Sequence, residues 1–171
     1  MDFVKKIRNI KDFPQKGVIF RDITPLLEDK KAFKAAIDQM IKSLKGKKID
    51  KVVGIDARGF ILAGILADRL NTGMVMIRKK GKLPFETESQ EFDLEYGKAI
   101  LEVHRDSIKK GENVLIVDDV LATGGTMLAT IDLVKKLKGN IIGIAFLIIL
   151  DYLPGRKKLK DYQLFSLVDY K

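Results

Sequence analysis

VLIVDDVLATGGT, residues Val114–Thr126, opens as an apolar run and ends in a glycine-rich turn. The run reads as a buried strand, and Thr123–Thr126 reads as the mouth of a helix continuing to about Lys138. The same order of apolar run, polar or glycine-containing turn and helix recurs along the chain. Lys51–Ile55 is followed by DARGF and a helix through about Leu70. Gly73–Ile77, Glu112–Val117 and the Ile- and Leu-rich Asn140–Leu150 supply further strands. Continuous apolar strands alternating with helices imply a mostly parallel sheet covered on both faces, an α/β fold.

Towards the N-terminus, Phe3, Val4 and Ile7 suggest a first helix near residues 2–9. FPQKGVIFRDITP is rich in turn residues. A second helix is expected from about Lys31 to Leu44, its stripe formed by Phe33, Ala36, Ile37, Met40, Ile41 and Leu44. The pattern lapses between Lys79 and Asp93, where KKGKLPFETESQEFD reads as a long irregular segment of the kind that serves as a lid. Lys98–His104 alternates and suits one half of a hairpin with Phe92–Leu94.

Composition narrows the chemistry. The chain of 171 residues is 46% hydrophobic, enough to build a core as one domain. It has no cysteine, which removes disulfides and thiolate metal sites, and its one histidine, His104, cannot build a histidine zinc centre. The net charge of +9 favours an anionic partner without separating nucleic acid, membrane and small polyphosphate. MDFVKKIRNIKDF lacks the apolar core of a signal peptide, and Ile141–Leu150 is short of the roughly 20 residues that span a bilayer. A soluble, cytoplasmic protein with no membrane partner is expected.

Ligands of an open parallel sheet sit at the carboxyl ends of its strands. There, the Thr123–Thr126 backbone offers N–H groups at a helix N-terminus, an anion site, and the two threonine hydroxyls add donors. Asp118 and Asp119 would repel a phosphate placed on them. They suit a neighbouring group that offers hydroxyls, or a divalent cation. Phosphate at one end and a diol at the other match a ribose 5-phosphate. A plain strand-to-helix turn would need only one acidic cap, whereas here two carboxylates precede glycines five and six residues beyond the second. The segment is neither a Walker loop nor a dinucleotide fingerprint, because neither spacing occurs.

VLIVDDVLATGGT resembles the phosphoribosyl pyrophosphate signature of the type I phosphoribosyltransferases. FPQKGVIFRDITPLL, GIDARGF, IRKKGKLP and LEYGKAILE follow the order and spacing of the branch of that family acting on adenine, from about Phe13 to Tyr170. The resemblance implies a single domain over 1–171, with a small N-terminal hood over about 1–30 and a flexible catalytic loop or hairpin over about 79–98. It implies transfer of a phosphoribosyl group to adenine, giving AMP and pyrophosphate, in a homodimer that binds no nucleic acid. Magnesium would be bound mainly through phosphoribosyl pyrophosphate, near Asp118 and Asp119.

By the same resemblance, Asp118 and Asp119 face the ribose hydroxyls, and Ala122, Thr123, Gly124, Gly125 and Thr126 wrap the 5-phosphate. Arg58, Arg78, Lys79 and Lys82 match pyrophosphate-side cations, some of them serving across a dimer. Ile19, Phe20 and Arg21 match the adenine pocket, with Phe20 stacking on the base and Leu153 on its other face. Glu95 and Tyr96 match a catalytic pair on the mobile loop. Ile149 and Pro154 depart from the glutamate and glycine that many relatives carry near Leu153. Read without the resemblance, Phe20 is a core residue sooner than a stacking platform, Glu95 a hairpin residue sooner than a catalytic one, and Asp56 a turn residue that satisfies backbone donors.

Overall fold

The computed structural model describes residues 1–93 and 97–171. Its centre is a seven-stranded sheet. The strands are β3 (Lys51–Ile55), β4 (Gly73–Lys79), β5 (Thr87–Asp93), β6 (Lys98–His104), β7 (Asn113–Leu121), β8 (Asn140–Leu150) and β9 (Leu164–Tyr170), in the order β5-β6-β4-β3-β7-β8-β9. From β4 across to β9 all neighbours are parallel, while β6 joins β4 and β5 antiparallel. Two further strands, β1 (Arg8–Lys11) and β2 (Ile19–Asp22), form a separate antiparallel ribbon.

Alternation along the central strands builds two cores. Val52, Leu115, Val117, Ala145 and Leu147 point to one face, Val53, Ile55, Ile116, Ile144 and Phe146 to the other. Helices α2 (Lys30–Ser43) and α3 (Arg58–Leu70) cover the first face, and α4 (Gly125–Lys136) covers the second. In α3 the buried set Gly59, Leu62, Ala63, Leu66 and Ala67 follows helical spacing. Asp29 caps α2 by accepting from Lys31 N and Ala32 N, both at 3.0 Å. The Lys6 ammonium and the Ala32 N–H hold its carboxyl at about 2. The short helices α1 (Thr24–Glu28) and α5 (Gly155–Lys158) each hold a loop against the core.

The parallel block lies where the apolar runs place it. The N-terminal helix does not form: only Val4–Lys6 makes a 3-10 turn, and β1 follows. Phe3 and Ile7 are buried as a helix would have buried them, but Ile10 pairs with Phe20 in the ribbon. The stretch expected to be irregular up to Asp93 carries β5, whose register with β6 runs from Thr87↔His104 to Asp93↔Lys98. TESQEFD is polar because it forms a sheet edge with no fully buried residue. Strand β7 continues four residues past Val117, since Asp118, Val120 and Leu121 still pair with β8.

Candidate functional site

The start of α3, which follows β3, is set against its neighbour strand β7 by one glycine. A Cβ at Gly59 would lie 2.9 Å from Asp118 Oδ1 and 3.1 Å from the Val117 carbonyl oxygen. Only hydrogen there lets the first turn of α3 rest against the end of β7. The turn Asp56–Ala57–Arg58, which contains a cis peptide between Asp56 and Ala57, therefore stands beside the two aspartates.

Arg58 Nε donates to Asp119 Oδ2 at 2.5 Å, and Asp119 is buried. The Arg58 guanidinium also lies 5.3 Å from the centre of the Phe20 ring, within cation–π reach. Among the described residues, Asp118 forms no ion pair of its own, Arg58 being engaged by Asp119. Its Oδ1 accepts from the Asp119 N–H at 2.9 Å, and burial together with the Asp119 charge pushes its pKa well above the ordinary value. A half-buried carboxylate that resists ionising beside a second carboxylate is a place prepared for positive charge.

The glycine turn lies next to this pair. Gly124 has φ +86°, a conformation that side chains disfavour, and its carbonyl accepts from Leu128 N to begin α4. A small cavity of about 100 Å³ is lined by Asp118 and by Ala122–Thr126. Gly155, at the start of α5, presses on the turn from outside and donates its N–H to the Ala122 carbonyl at 3.1 Å. A Cβ on Gly155 would stand 2.3 Å from that oxygen and 2.9 Å from Leu121 Cδ1. Gly155→Ala is therefore expected to cost about 1–3 kcal/mol as overpacking. An equilibrium urea melt with unchanged slope should register it; an unmoved midpoint would show that the turn yields freely.

A larger cleft of about 750 Å³ joins these parts. Arg58, Asp118 and Asp119 line it, as do Ala122, Thr123 and Thr126 from the turn. Ile19, Phe20 and Arg21 of β2 and Leu153 line it too. Phe20 is steadied by Phe13, edge to face at 5.2 Å between ring centres. Gly124 and Gly125 line the smaller cavity and not the larger cleft.

Not every residue singled out in the sequence reaches the cleft. Arg78 is joined to it indirectly, through Nε donating to Asp56 Oδ2 at 3.1 Å, while its Nη1 donates to the Lys82 carbonyl at 3.2 Å. Lys79 and Lys82 are exposed and do not line the cleft. Glu95 and Tyr96 lie outside the described residues. Ile149 is buried in the core formed with α4. The sequence reading missed Tyr152, which lines the cleft, and gave Asp56 only a turn role. Gly155 carried a usable signal, a glycine directly after Pro154 and the strand β8.

No helix of the described residues is long and apolar enough to cross a membrane. Among the described residues, no three His, Asp or Glu side chains gather into a metal cage.

Residues 26–170 match the family model of the phosphoribosyl transferase domain. The adenine phosphoribosyltransferase of Brachyspira hyodysenteriae is 52% identical over 170 residues, covering 99% of this chain and 100% of the relative. The crystal structure of adenine phosphoribosyltransferase from Thermoanaerobacter pseudethanolicus superposes with a TM-score of 0.94 at 49% identity, covering 98% of each chain. The Saccharomyces cerevisiae enzyme, complexed with an imino-altritol bisphosphate and adenine, superposes with a TM-score of 0.90 at 36% identity and 96% coverage of each chain.

Proposed function

Since the chain belongs to the phosphoribosyl transferase family and has the type I fold, we propose that it transfers the 5-phosphoribosyl group of phosphoribosyl pyrophosphate to adenine. The products are AMP and pyrophosphate, a step of purine salvage. The observation that carries this reading is the single cleft shared by a glycine turn built for an anion, a paired acidic site and an aromatic–apolar slot around Phe20 and Leu153.

Breaking the bond from ribose C1 to pyrophosphate builds positive charge on the sugar and negative charge on the leaving group. Catalysis is then mostly electrostatic and positional. Ala122, Thr123, Gly124, Gly125 and Thr126 hold the 5-phosphate. Asp118 and Asp119 bind the ribose hydroxyls and favour the cationic sugar. Arg58 exchanges Asp119 for the departing pyrophosphate. Ile19, Phe20 and Arg21 border the base, Phe20 against one of its faces and Leu153 against the other. Glu95, with Tyr96 beside it, accepts the proton that adenine loses as its ring nitrogen attacks.

Arg78 serves the pyrophosphate side through the Asp56 turn. Lys79 and Lys82 are exposed away from this chain's own cleft, which suits cations that serve the second subunit of a homodimer. Asp118 and Asp119 would be the protein neighbours of a magnesium ion carried mainly by the substrate's pyrophosphate, and such an ion would supply neutralisation of the leaving charge. The desolvated Asp118 carboxyl, with no ion pair of its own among the described residues, fits that neighbour. The enzyme works in the cytoplasm and uses its net charge of +9 to attract anionic substrates, with no nucleic-acid partner.

A base panel tests the reading. With phosphoribosyl pyrophosphate and magnesium, adenine should release pyrophosphate, and hypoxanthine, guanine and xanthine should be slower by about 100-fold or more. Absence of turnover with adenine, or equal turnover of another purine, would overturn it.

A further inference from the structure

The two walls of the base slot belong to different parts of the fold. One is β2, in the ribbon outside the main sheet. The other is the turn after β8 that carries Tyr152 and Leu153. Both are fastened to the same residue, Tyr170 of β9. Its carbonyl accepts from the Asp151 N–H at 2.7 Å, continuing the β8–β9 register beyond Leu150↔Tyr170 and fixing where the turn begins. Its ring receives the Arg21 guanidinium, whose carbon lies 3.8 Å from the ring centre.

Arg21 is gripped on its other side by Asn9 of β1, with Nη1 donating to Oδ1 at 2.5 Å. This planar stack ties the ribbon to the last strand of the main sheet, in addition to the core packing of Ile7 and Ile23 at the ribbon's ends and the Arg58–Phe20 contact. Among the described residues, the buried Tyr170 hydroxyl and Arg21 Nε have no hydrogen-bond partner. The contact is therefore made by the face of the ring and not by the phenol oxygen. A guanidinium stacks on any aromatic face, and the interaction strengthens when water is excluded.

We propose that Tyr170 is a positioning residue for base recognition, holding the ribbon wall and the Leu153 wall at a fixed separation through its ring and its carbonyl. The proposal rests on the adenine reading of the cleft for its kinetic consequence only. Tyr170 acts through Arg21 and Asp151, not by touching the reacting atoms. The sugar half of the site is built on β3, β7 and α4 and does not depend on this stack.

The test compares Tyr170→Leu with Tyr170→Phe. The leucine variant should raise KM for adenine about tenfold, between the values for an exposed and a fully desolvated cation–π contact. KM for phosphoribosyl pyrophosphate and kcat should stay within about twofold of the parent. Phenylalanine should retain parental values, because the hydroxyl has no partner to lose. Arg21→Met, which also removes a residue bordering the base, should raise KM for adenine at least as much as Tyr170→Leu, and adding Tyr170→Leu to it should cost little more.

Hydrogen exchange on the ligand-free protein gives a readout independent of substrate identity. Amides of β1 and β2 should exchange about tenfold faster in Tyr170→Leu and at the parental rate in Tyr170→Phe. Equal defects in the two tyrosine variants, equal rises in both KM values, or unchanged exchange in the ribbon would overturn the proposal. If the parent protein failed to use adenine, the exchange comparison would still decide whether the tether exists.

Discussion

Asp118→Asn is expected to lower turnover by about 2–4 kcal/mol of transition-state stabilisation, the scale of one preorganised electrostatic group. The same change is expected to make the protein more stable at neutral pH. Both effects come from one fact: burial and the Asp119 charge raise the Asp118 pKa well above 3.8. An unfolded chain ionises this group in the ordinary carboxylate range, while the folded chain holds its proton to higher pH. Between those two values the native state binds more protons than the unfolded one, so stability falls as pH rises through that window.

Asparagine keeps the acceptor for the Asp119 N–H and removes the charge. The variant's advantage should therefore be full above the raised pKa and should vanish below the ordinary carboxylate range. Steady-state kinetics and thermal melts across pH measure the two halves. A near-normal rate would remove Asp118 from the chemistry. A loss of stability at neutral pH would mean that its carboxylate is already compensated by the protein's own groups. Sites that store unfavourable charge for a reaction commonly trade stability for activity in this way.

Phe146→Ala is expected to cost about 3–5 kcal/mol of stability, a large share of the 5–15 kcal/mol typical of a domain. Phe146 is 1% exposed, pairs with Asp118 in the β7–β8 register and lines the cavity beside the glycine turn. Its ring fills the core between the sheet and α4, where backbone on both sides limits collapse. A midpoint fall of roughly 6–20 °C follows for a chain of this size. Urea melts with unchanged slope would give the free energy directly. A cost below about 1 kcal/mol would show that the neighbouring side chains close the space.

Much of this architecture was legible as residue pattern. KVVGI, NVLIV and NIIGIAFLIIL are buried on both faces, so each reads as one apolar run, and the parallel block follows. The Asp118–Asp119 pair and the glycine turn were legible because strand end and helix start adjoin in the chain. The ribbon was not, since Arg8–Lys11 and Ile19–Asp22 are mostly polar and bury few residues. The edge strand β5 lacked an apolar signal for the same reason. The link from Arg21 to Tyr170 joins residues far apart in the chain, and no local spacing encodes it. Lys79 and Lys82 show a further limit: a basic motif reveals its charge, not which cleft it serves.

The ribbon β1–β2 shares no backbone ladder with the seven-stranded sheet. A lone two-stranded hairpin is marginal in water, so this one, among the described residues, relies on side-chain anchorage. The sheet and its glycine turn, by contrast, are held by the whole core. Heritable change can therefore fall on the two halves unequally. Substitutions in Arg8–Asp22 can reshape what the slot accepts while the sugar-holding half keeps its geometry, so one sugar-handling scaffold can be fitted to different acceptors by redrawing a short detachable wall.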